Sequence, residues 1–513
     1  MPPSAAVYDH VIVGSGSGGA VVARRLAERT AAQVLLIEAG PDGAGDPLIE
    51  DPTRWIGIAG SRYDWGYSYA PGEAVGGRAI PIPRGRVLGG SSATNAMMWY
   101  RGHPADYDRW AAEGATGWSF ADCLPGFRAC EDWQGGASAL RGAGGPLRIE
   151  TSADPHPLAL AMLEAADQAG LPVIDDPNGP SNEGAALANF NIAGGRRADS
   201  ASGYLRPVAD APNLTILTGS KATRLEIADD RVTGVHHRVD GAEVLTRARG
   251  EVILAAGAID TPRLLMLSGI GPEAELTALG IPVRCPAPGV GQNLQDHPLV
   301  RACNFRLARP VPPPRDNGGG TILNWRSRPG LDRPDLHAFP VAARSAVPDV
   351  VDAYGLQGDL FAIAPGLMRS RARGHLRMLT ADPDGPLEIR PNFLGHPDDL
   401  AALVEGVRFA MELVTRPAFA PFFGGFAAPE TPVDRAGAEA FVRLACSTFF
   451  HACGTCRMGA DAEAVTDPRL RVNGVSGLRI ADASVIPTIP SCNTHAVVTM
   501  IGERAATFIQ EDA

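Results

Sequence analysis

The first forty residues switch between two hydrophobic periods. Residues 8–14, YDHVIVG, form a short β-branched run and predict a strand. Residues 15–29, SGSGGAVVARRLAER, place apolar side chains at helical spacing. Residues 33–40, QVLLIEAG, are a continuous apolar run, as expected of a strand covered on both faces. Together they predict a βαβ unit. Residues 41–84 are rich in Gly, Pro and Asp and read mostly as loop, whereas 103–131 read as helical. The stretch 133–147, WQGGASALRGAGGPL, reads as an exposed loop, and 157–170 as an amphipathic helix. Four strand patterns follow at 213–219, 221–227, 231–239 and 251–258, then a helix at 261–269. Short strands and Pro- or Arg-rich turns fill 299–385, and 397–416 is a long helix. A buried strand and turn at 474–487 and a helix at 493–512 end the chain.

Strand–helix units at both ends surround a middle of different character, which predicts a discontinuous domain with another inserted. The expected division is 1–155, 205–298 and 445–513 against 156–204 and 299–444. A chain of 513 residues is long enough for both. Its net charge of -11 argues against binding a phosphate backbone, so nucleic acid is set aside. The eight cysteines are too sparse for a disulfide scaffold. The N-terminus shows no basic and apolar leader, and no apolar run reaches membrane-span length, so a cytoplasmic location is expected.

Gly14-Ser15-Gly16-Ser17-Gly18-Gly19 fits G-x-G-x-x-G, and it lies where that motif carries meaning, between a strand and a helix. Gly14 permits the tight turn, Gly16 lets backbone approach a pyrophosphate, and Gly19 lets the helix pack on the strand. The helix N-terminus offers free N–H groups to phosphates. Glu38, about twenty residues on, is placed to accept from a ribose hydroxyl, which favours FAD or NAD over NADP. Near the other end, HACGTCRMG (451–459) sets a histidine beside a C-x-x-C. That pattern is compatible with a dithiol, a metal site or neither, but no second Cys/His pair is spaced to complete a zinc site.

Further phrases carry a resemblance. GRVLGGSSATNAMMWYRGHPADYD (85–108), GAIDTPRLLMLSGIG (257–271), PGVGQNLQDHP (288–298), HACGTCRMG and VSGLRIADASVIPTIPSCNTHAVVTMIGERAA resemble, in order, the signature blocks of the glucose-methanol-choline (GMC) flavin oxidoreductases. The resemblance implies an α/β (mixed α+β) fold: a Rossmann-like FAD-binding domain with an inserted substrate domain built on an antiparallel sheet with helices. It implies that Gly14, Ser15, Gly16, Gly19, Glu38 and Ala39 hold the ADP half of FAD. Arg86, Val87 and Gly90 would pass the pyrophosphate, and the main chain at Ala222 would lie against the adenine. Asn95, Ala96, Met97 and Met98 would run along the flavin. Asp482 and Ala483 would close the ribityl side, with Asn493 and Thr494 at the ring. Thr94 stands where some members attach FAD through a histidine, so non-covalent FAD is expected.

The resemblance also makes the C-x-x-C of Cys453 and Cys456 incidental, with no metal expected. It implies oxidation of an alcohol by hydride transfer to flavin N5, with His451 as base and His495 orienting the same oxygen. A histidine suits that work because its pKa lies near neutrality. His297 reads as structural, and His236-His237 as part of an exposed strand. Met98, Trp99, Tyr100, Phe449 and Phe450 flank the flavin loop or the base and suggest a primary aromatic or apolar alcohol. The electron acceptor would be oxygen or a quinone-type carrier. A hydroxynitrile lyase with redox-idle FAD is the alternative.

Overall fold

A computed structural model describes residues 7–512; the first six residues, part of the stretch read for a leader, lie outside the described residues. Two sheets organise the chain. The first has seven strands in the order Leu214–Leu217, Val34–Ile37, Val7–Val13, Ala242–Leu254, Arg231–Val239, Ser220–Ala228, with Leu478–Ile480 also pairing with Ala242–Leu254. Its left half is parallel and its right half an antiparallel meander. The thirteen-residue strand Ala242–Leu254 serves both: residues 242–247 pair with the meander, and 247–254 with the parallel strands. Val252, Ile253 and Leu254 are fully buried, as a parallel strand covered on both faces requires.

Register positions the site. Val13 pairs with both Ile37 and Leu254, and Leu254 pairs with Ile480. The residues just beyond these carboxyl ends, Gly14, Glu38, Ala255 and Ala481, therefore share one edge. Ligands of open α/β sheets bind at such an edge. The helix Gly19–Arg29 leaves it and packs against the C-terminal helix Thr494–Glu511.

The second sheet has eight antiparallel strands. Its path runs Phe423–Ala428, Cys303–Leu307, Leu360–Leu367, Leu336–Val341, Thr321–Trp325, Gly184–Leu187. Pro298–Val300 joins it and pairs with Cys446–Thr448. The latter strand lies in a segment expected with the first sheet. Leu360–Leu367 is buried throughout, with the helix Pro397–Leu413 packed over it.

Three local expectations change. The region read as loop at 41–84 holds a hairpin, Tyr67–Gly72 with Arg78–Ile82, whose alternation is hidden by Gly and Pro. The glycine-rich stretch 133–147 is not simply an exposed loop. Arg141 is 3% exposed and its guanidinium reaches Glu131 at 3.0 Å and Asp176 at 2.7 Å. A Cβ on Gly142 would lie 1.9 Å from the Arg128 carbonyl oxygen, so close packing rather than freedom calls for that glycine. His237 is buried, between Ser220 Oγ at 2.7 Å and Thr246 Oγ1 at 2.9 Å. Its strand runs through the middle of the meander, so alternate side chains face inward. Two helices not read from the sequence, Pro348–Tyr354 and Arg435–Ala445, border the second sheet.

Glu503 ties the helix Thr494–Glu511 to the helix Gly19–Arg29 through two arginines, Arg25 and, at 3.8 Å, Arg29. Arg25 meets Glu503 at 2.7 Å, and Tyr204 donates to the same carboxylate at 3.0 Å. Glu503 is 4% exposed, and removing it leaves the buried Arg25 with only the partly exposed Glu28, at 3.1 Å, as an acid partner. Glu503→Ala is expected to lower unfolding stability by about 3 kcal/mol in denaturant titration. A loss under about 1 kcal/mol would show that the pair is effectively solvated.

Candidate active site

A cavity of about 360 Å³ runs along the carboxyl edge of the first sheet and opens toward the second. At one end lie Gly14, Ser15, Gly16, Glu38, Ala39 and Ala222; at the other lie Phe449, Phe450, His451 and Asn493.

The glycine turn was built for different neighbours at each position. Gly14 has φ +98°, and a Cβ there would meet the Ala255 carbonyl oxygen at 2.4 Å. A Cβ on Gly18 would meet the Ala481 oxygen at 1.9 Å, and one on Gly19 the Gly14 oxygen at 2.0 Å. Gly16 is the exception: no protein atom lies within 4 Å of its missing Cβ, and the position faces the cavity. The protein's own packing does not require a glycine there, whereas a pyrophosphate approaching the backbone does. Glu38 accepts from Ser15 N–H at 3.1 Å, Ser15 O–H at 2.5 Å and Gly40 N–H at 2.8 Å. Burial pushes its carboxyl pKa up, and these hydrogen bonds pull it back. Asp482 accepts from Gly257 N–H at 2.8 Å and Thr261 O–H at 2.6 Å, which closes the turn from the opposite strand. The donor-lined turn and the carboxylate at the strand end fit the ADP half of a dinucleotide.

The other end is built on Asp296, which is 3% exposed. Its carboxylate accepts from Tyr69 O–H at 2.6 Å, His297 N–H at 2.7 Å, His451 N–H at 2.8 Å, and the Thr448 hydroxyl. Thr448 Oγ1 in turn accepts from Phe450 N–H at 2.6 Å. Phe450 has φ +67°, an uncommon conformation for a bulky side chain, and Arg84 also donates to its carbonyl. The turn that carries His451 is thus held from several sides.

Hydrogen bonding then fixes the tautomer of His451. His297 Nε2 lies 3.1 Å from the Met368 carbonyl oxygen, which can only accept, so Nε2 carries the proton. Burial lowers the His297 pKa to about 3, so the ring is neutral and its Nδ1 is a bare acceptor. His451 Nδ1 lies 2.9 Å from that atom and must donate to it. The proton of neutral His451 is therefore on Nδ1, and its Nε2 presents a lone pair. Asn493 donates to that lone pair from Nδ2 at 3.2 Å, and the Asn493 Oδ1 is buried with no protein partner. Burial is the main cause that holds the His451 pKa well below its ordinary value, with His297, Arg84 and His337 adding to it. Phe449 stacks on the His451 ring, 5.5 Å between centroids.

This arrangement corrects the expected histidine pair. His495 lines the cavity, but its Nδ1 bonds Ser17 Oγ at 2.8 Å on the glycine turn, and no hydrogen bond joins it to His451 among the described residues. Its Nε2 is buried without a protein partner, and burial lowers its pKa to about 3. The C-terminal helix begins at Thr494, so Asn493, just before it, faces His451 while His495 turns back toward the glycines. His297, read as structural, instead touches the candidate base.

Of the other expected residues, Gly90, Asn95, Ala96, Met97, Met98, Ala483 and Thr494 line the cavity. Gly19, Trp99, Tyr100, Arg86 and Val87 do not. Trp99 is fully buried, donates to Glu131 at 2.7 Å and packs edge-on behind His495. Tyr100, 3% exposed, faces His337 on the far side. Val87 is packed with Ile49, Ile58 and Tyr63, and the Arg86 guanidinium lies over Trp65. Their backbone lies so close to Gly40 that a Cβ there would meet Arg86 at 2.2 Å, so both residues support the loop from behind. Cys453 and Cys456 are fully buried, and burial raises both thiol pKa values, the opposite of a reactive dithiol.

Comparison with known proteins identifies the family. Two family profiles described as GMC oxidoreductase match residues 8–299 and 370–502. The oxygen-dependent choline dehydrogenase of Brucella suis is 38% identical over 98% of this chain and 95% of its own length. The mitochondrial choline dehydrogenase of Homo sapiens is 38% identical over 98% of this chain and 90% of its own. The crystal structure of pyridoxine 4-oxidase from Mesorbium loti superposes with a TM-score of 0.93 at 33% identity, covering 97% of this chain and 98% of that one. Among the described residues no helix is long and apolar enough to cross a membrane. With two profiles spanning most of its length and a cavity that fits a dinucleotide at one end and a histidine base at the other, the chain belongs to the GMC oxidoreductase family, FAD-dependent enzymes that oxidise CH–OH donors.

Proposed function

We propose that this protein oxidises a primary alcohol carried on an aromatic or apolar body to its aldehyde, with His451 as the base. The observation that carries the reading is the relay from the Met368 carbonyl through His297, which leaves the His451 Nε2 lone pair facing Asn493 at the cavity. A substrate hydroxyl there would donate its proton to Nε2 and accept from the Asn493 amide, so one group takes the proton and its neighbour holds the oxygen. FAD, when bound, accepts the two electrons and the hydrogen that leave the alcohol carbon. Gly14, Ser15, Gly16, Glu38, Ala39 and Ala222 would hold its ADP half, with Gly19 packing the helix onto the turn. Gly90, Asn95, Ala96, Met97, Met98, Asp482, Ala483, Thr494 and His495 would line the remainder. Thr94 at the cavity wall supports non-covalent binding. Leu299, Phe339, Phe449 and Phe450 supply the apolar wall that favours the substrate class.

The relatives' names raise choline as a substrate. The carboxylates that line the cavity, Glu38, Asp64, Asp260 and Asp482, are all engaged by protein donors, which does not favour a quaternary ammonium. The relatives named above are dehydrogenases and an oxidase, so the lyase alternative finds no support in them. The same reading assigns 1–155, 205–298 and 445–513 to the FAD-binding domain and 156–204 and 299–444 to the substrate domain. Confinement of the seven-stranded sheet to the first set supports it, with the last boundary moved past Thr448.

Anaerobic mixing of the holoenzyme with a panel of alcohols tests the reading. Bleaching of the flavin band is expected, and a holoenzyme that no alcohol bleaches would refute it. Admitting air then separates oxygen from a quinone-type carrier as acceptor. His451→Ala is expected to lower kcat/KM by about 10²- to 10⁴-fold. His297→Phe, which removes the Nδ1 acceptor, should lower kcat, whereas His297→Gln, which keeps an acceptor, should lose less. Because His451 must be neutral to act and its pKa is depressed, wild-type kcat/KM should stay level through pH 6.5 and fall only at lower pH. An acidic limb centred above pH 6.5 would assign the base elsewhere. Gly16→Ala should leave the stability of the FAD-free protein within about 0.5 kcal/mol, since no protein atom stands in the way. It should weaken FAD binding about tenfold or more, read by flavin fluorescence titration.

A further inference from the structure

Four cationic side chains line the cavity, and three are accounted for. Arg84 donates to the carbonyls of Pro83 and Phe450, Lys221 pairs with Asp384, and Arg263 with Asp260. The fourth, Arg301, is half-buried and has no side-chain hydrogen bond or ion pair among the described residues. Its backbone is fixed: Arg301 N–H donates to the Ala445 carbonyl at 2.9 Å, and the next N–H to the Ser345 carbonyl at 2.8 Å. Ser345 lines the same part of the cavity, and its hydroxyl also lacks a protein partner among the described residues.

Position follows from the strand. Arg301 comes directly after Pro298–Val300, two residues beyond Leu299, and both side chains reach the cavity as same-face neighbours do. Leu299 packs with Phe449 in an apolar cluster that Phe339 and Val341 border. Four residues along an extended chain place Arg301 about 13 Å from His297, which touches the base. Arg301 thus enters the cavity beyond the apolar cluster of Leu299 and Phe449, along the strand away from the segment that touches His451. Burial lowers its pKa with no acid to oppose the effect.

We propose that Arg301, with the Ser345 hydroxyl beside it, anchors a carboxylate at the far end of the substrate, so that the preferred alcohol carries a hydroxymethyl group at one end of an apolar or aromatic body and a carboxylate at the other. A guanidinium matches a carboxylate with two parallel N–H donors. One unpaired cation suits a monoanion better than a phosphate dianion. The same charge repels a quaternary ammonium and opposes choline. This inference rests on the alcohol-oxidation reading above.

The test uses holoenzyme and three benzyl alcohols that differ only at the para position: carboxylate, methyl and trimethylammonium. Rates of anaerobic flavin reduction give kcat/KM for each. The carboxylate is expected to exceed the methyl compound by about 10- to 100-fold, with the ammonium compound slowest. Arg301→Gln should collapse the carboxylate-to-methyl ratio toward one, Arg301→Lys should keep part of it, and Arg301→Glu should favour the ammonium compound. Flavin content and absorbance of each variant report folding, and the wild-type ranking stands without any variant. A wild-type ratio at or below one, or a ratio that survives in Arg301→Gln, would overturn the proposal. Bleaching by the methyl compound in that case leaves alcohol oxidation standing. No bleaching by any of the three, or by the wider panel, would overturn both.

Discussion

The buried carboxylate of Asp296 is the constraint on which the catalytic end depends. It receives four donors from three stretches of chain: Tyr69 from the hairpin, His297 from its own segment, and Thr448 and His451 from the turn opposite. Burial alone raises its carboxyl pKa, and the hydrogen bonds from Thr448, Tyr69 and His451 oppose that rise. The consequence is positional. His297 and His451 hang from the same carboxylate through their backbones, so their rings meet at a fixed 2.9 Å. A base whose ring could swing would lose the relation to Asn493 that gives it a partner for the oxygen.

The dinucleotide end is organised by register rather than by a single contact. Parallel pairing brings Gly14, Glu38, Ala255 and Ala481 to one edge, and the glycines at 14, 18 and 19 let backbone cross backbone there. Gly16 differs because no protein atom stands within 4 Å of its missing Cβ. Both ends hold buried carboxylates among donors, and burial keeps the two histidines beside Asp296 neutral. A neutral imidazole can take a proton, and the same desolvation that lowers its pKa strengthens the hydrogen bonds that aim it.

Much was legible in the chain because it is encoded locally. The βαβ unit, the G-x-G-x-x-G turn and Glu38 lie within forty residues, and period and glycine placement suffice to read them. His451 was legible through its motif. Other features depended on contacts far apart in sequence. His297 read as structural because nothing near it says that it meets residue 451. Trp99 and Tyr100 read as substrate residues because they adjoin the flavin loop, yet a sheet contact to Asn189 turns that segment inward and buries both.

The sequence by itself carried the family and, through the resemblance, the cofactor and the candidate base, since the motifs that bear the resemblance are residue types at short, fixed spacings. Tertiary structure alone decided the tautomer of His451, the exchange of His495 for Asn493 as its neighbour, and the isolation of Arg301. Those depend on which side chains face one another across strands up to hundreds of residues apart. One-dimensional spacing does not carry that relation, because strand register and the direction of each helix entry set it.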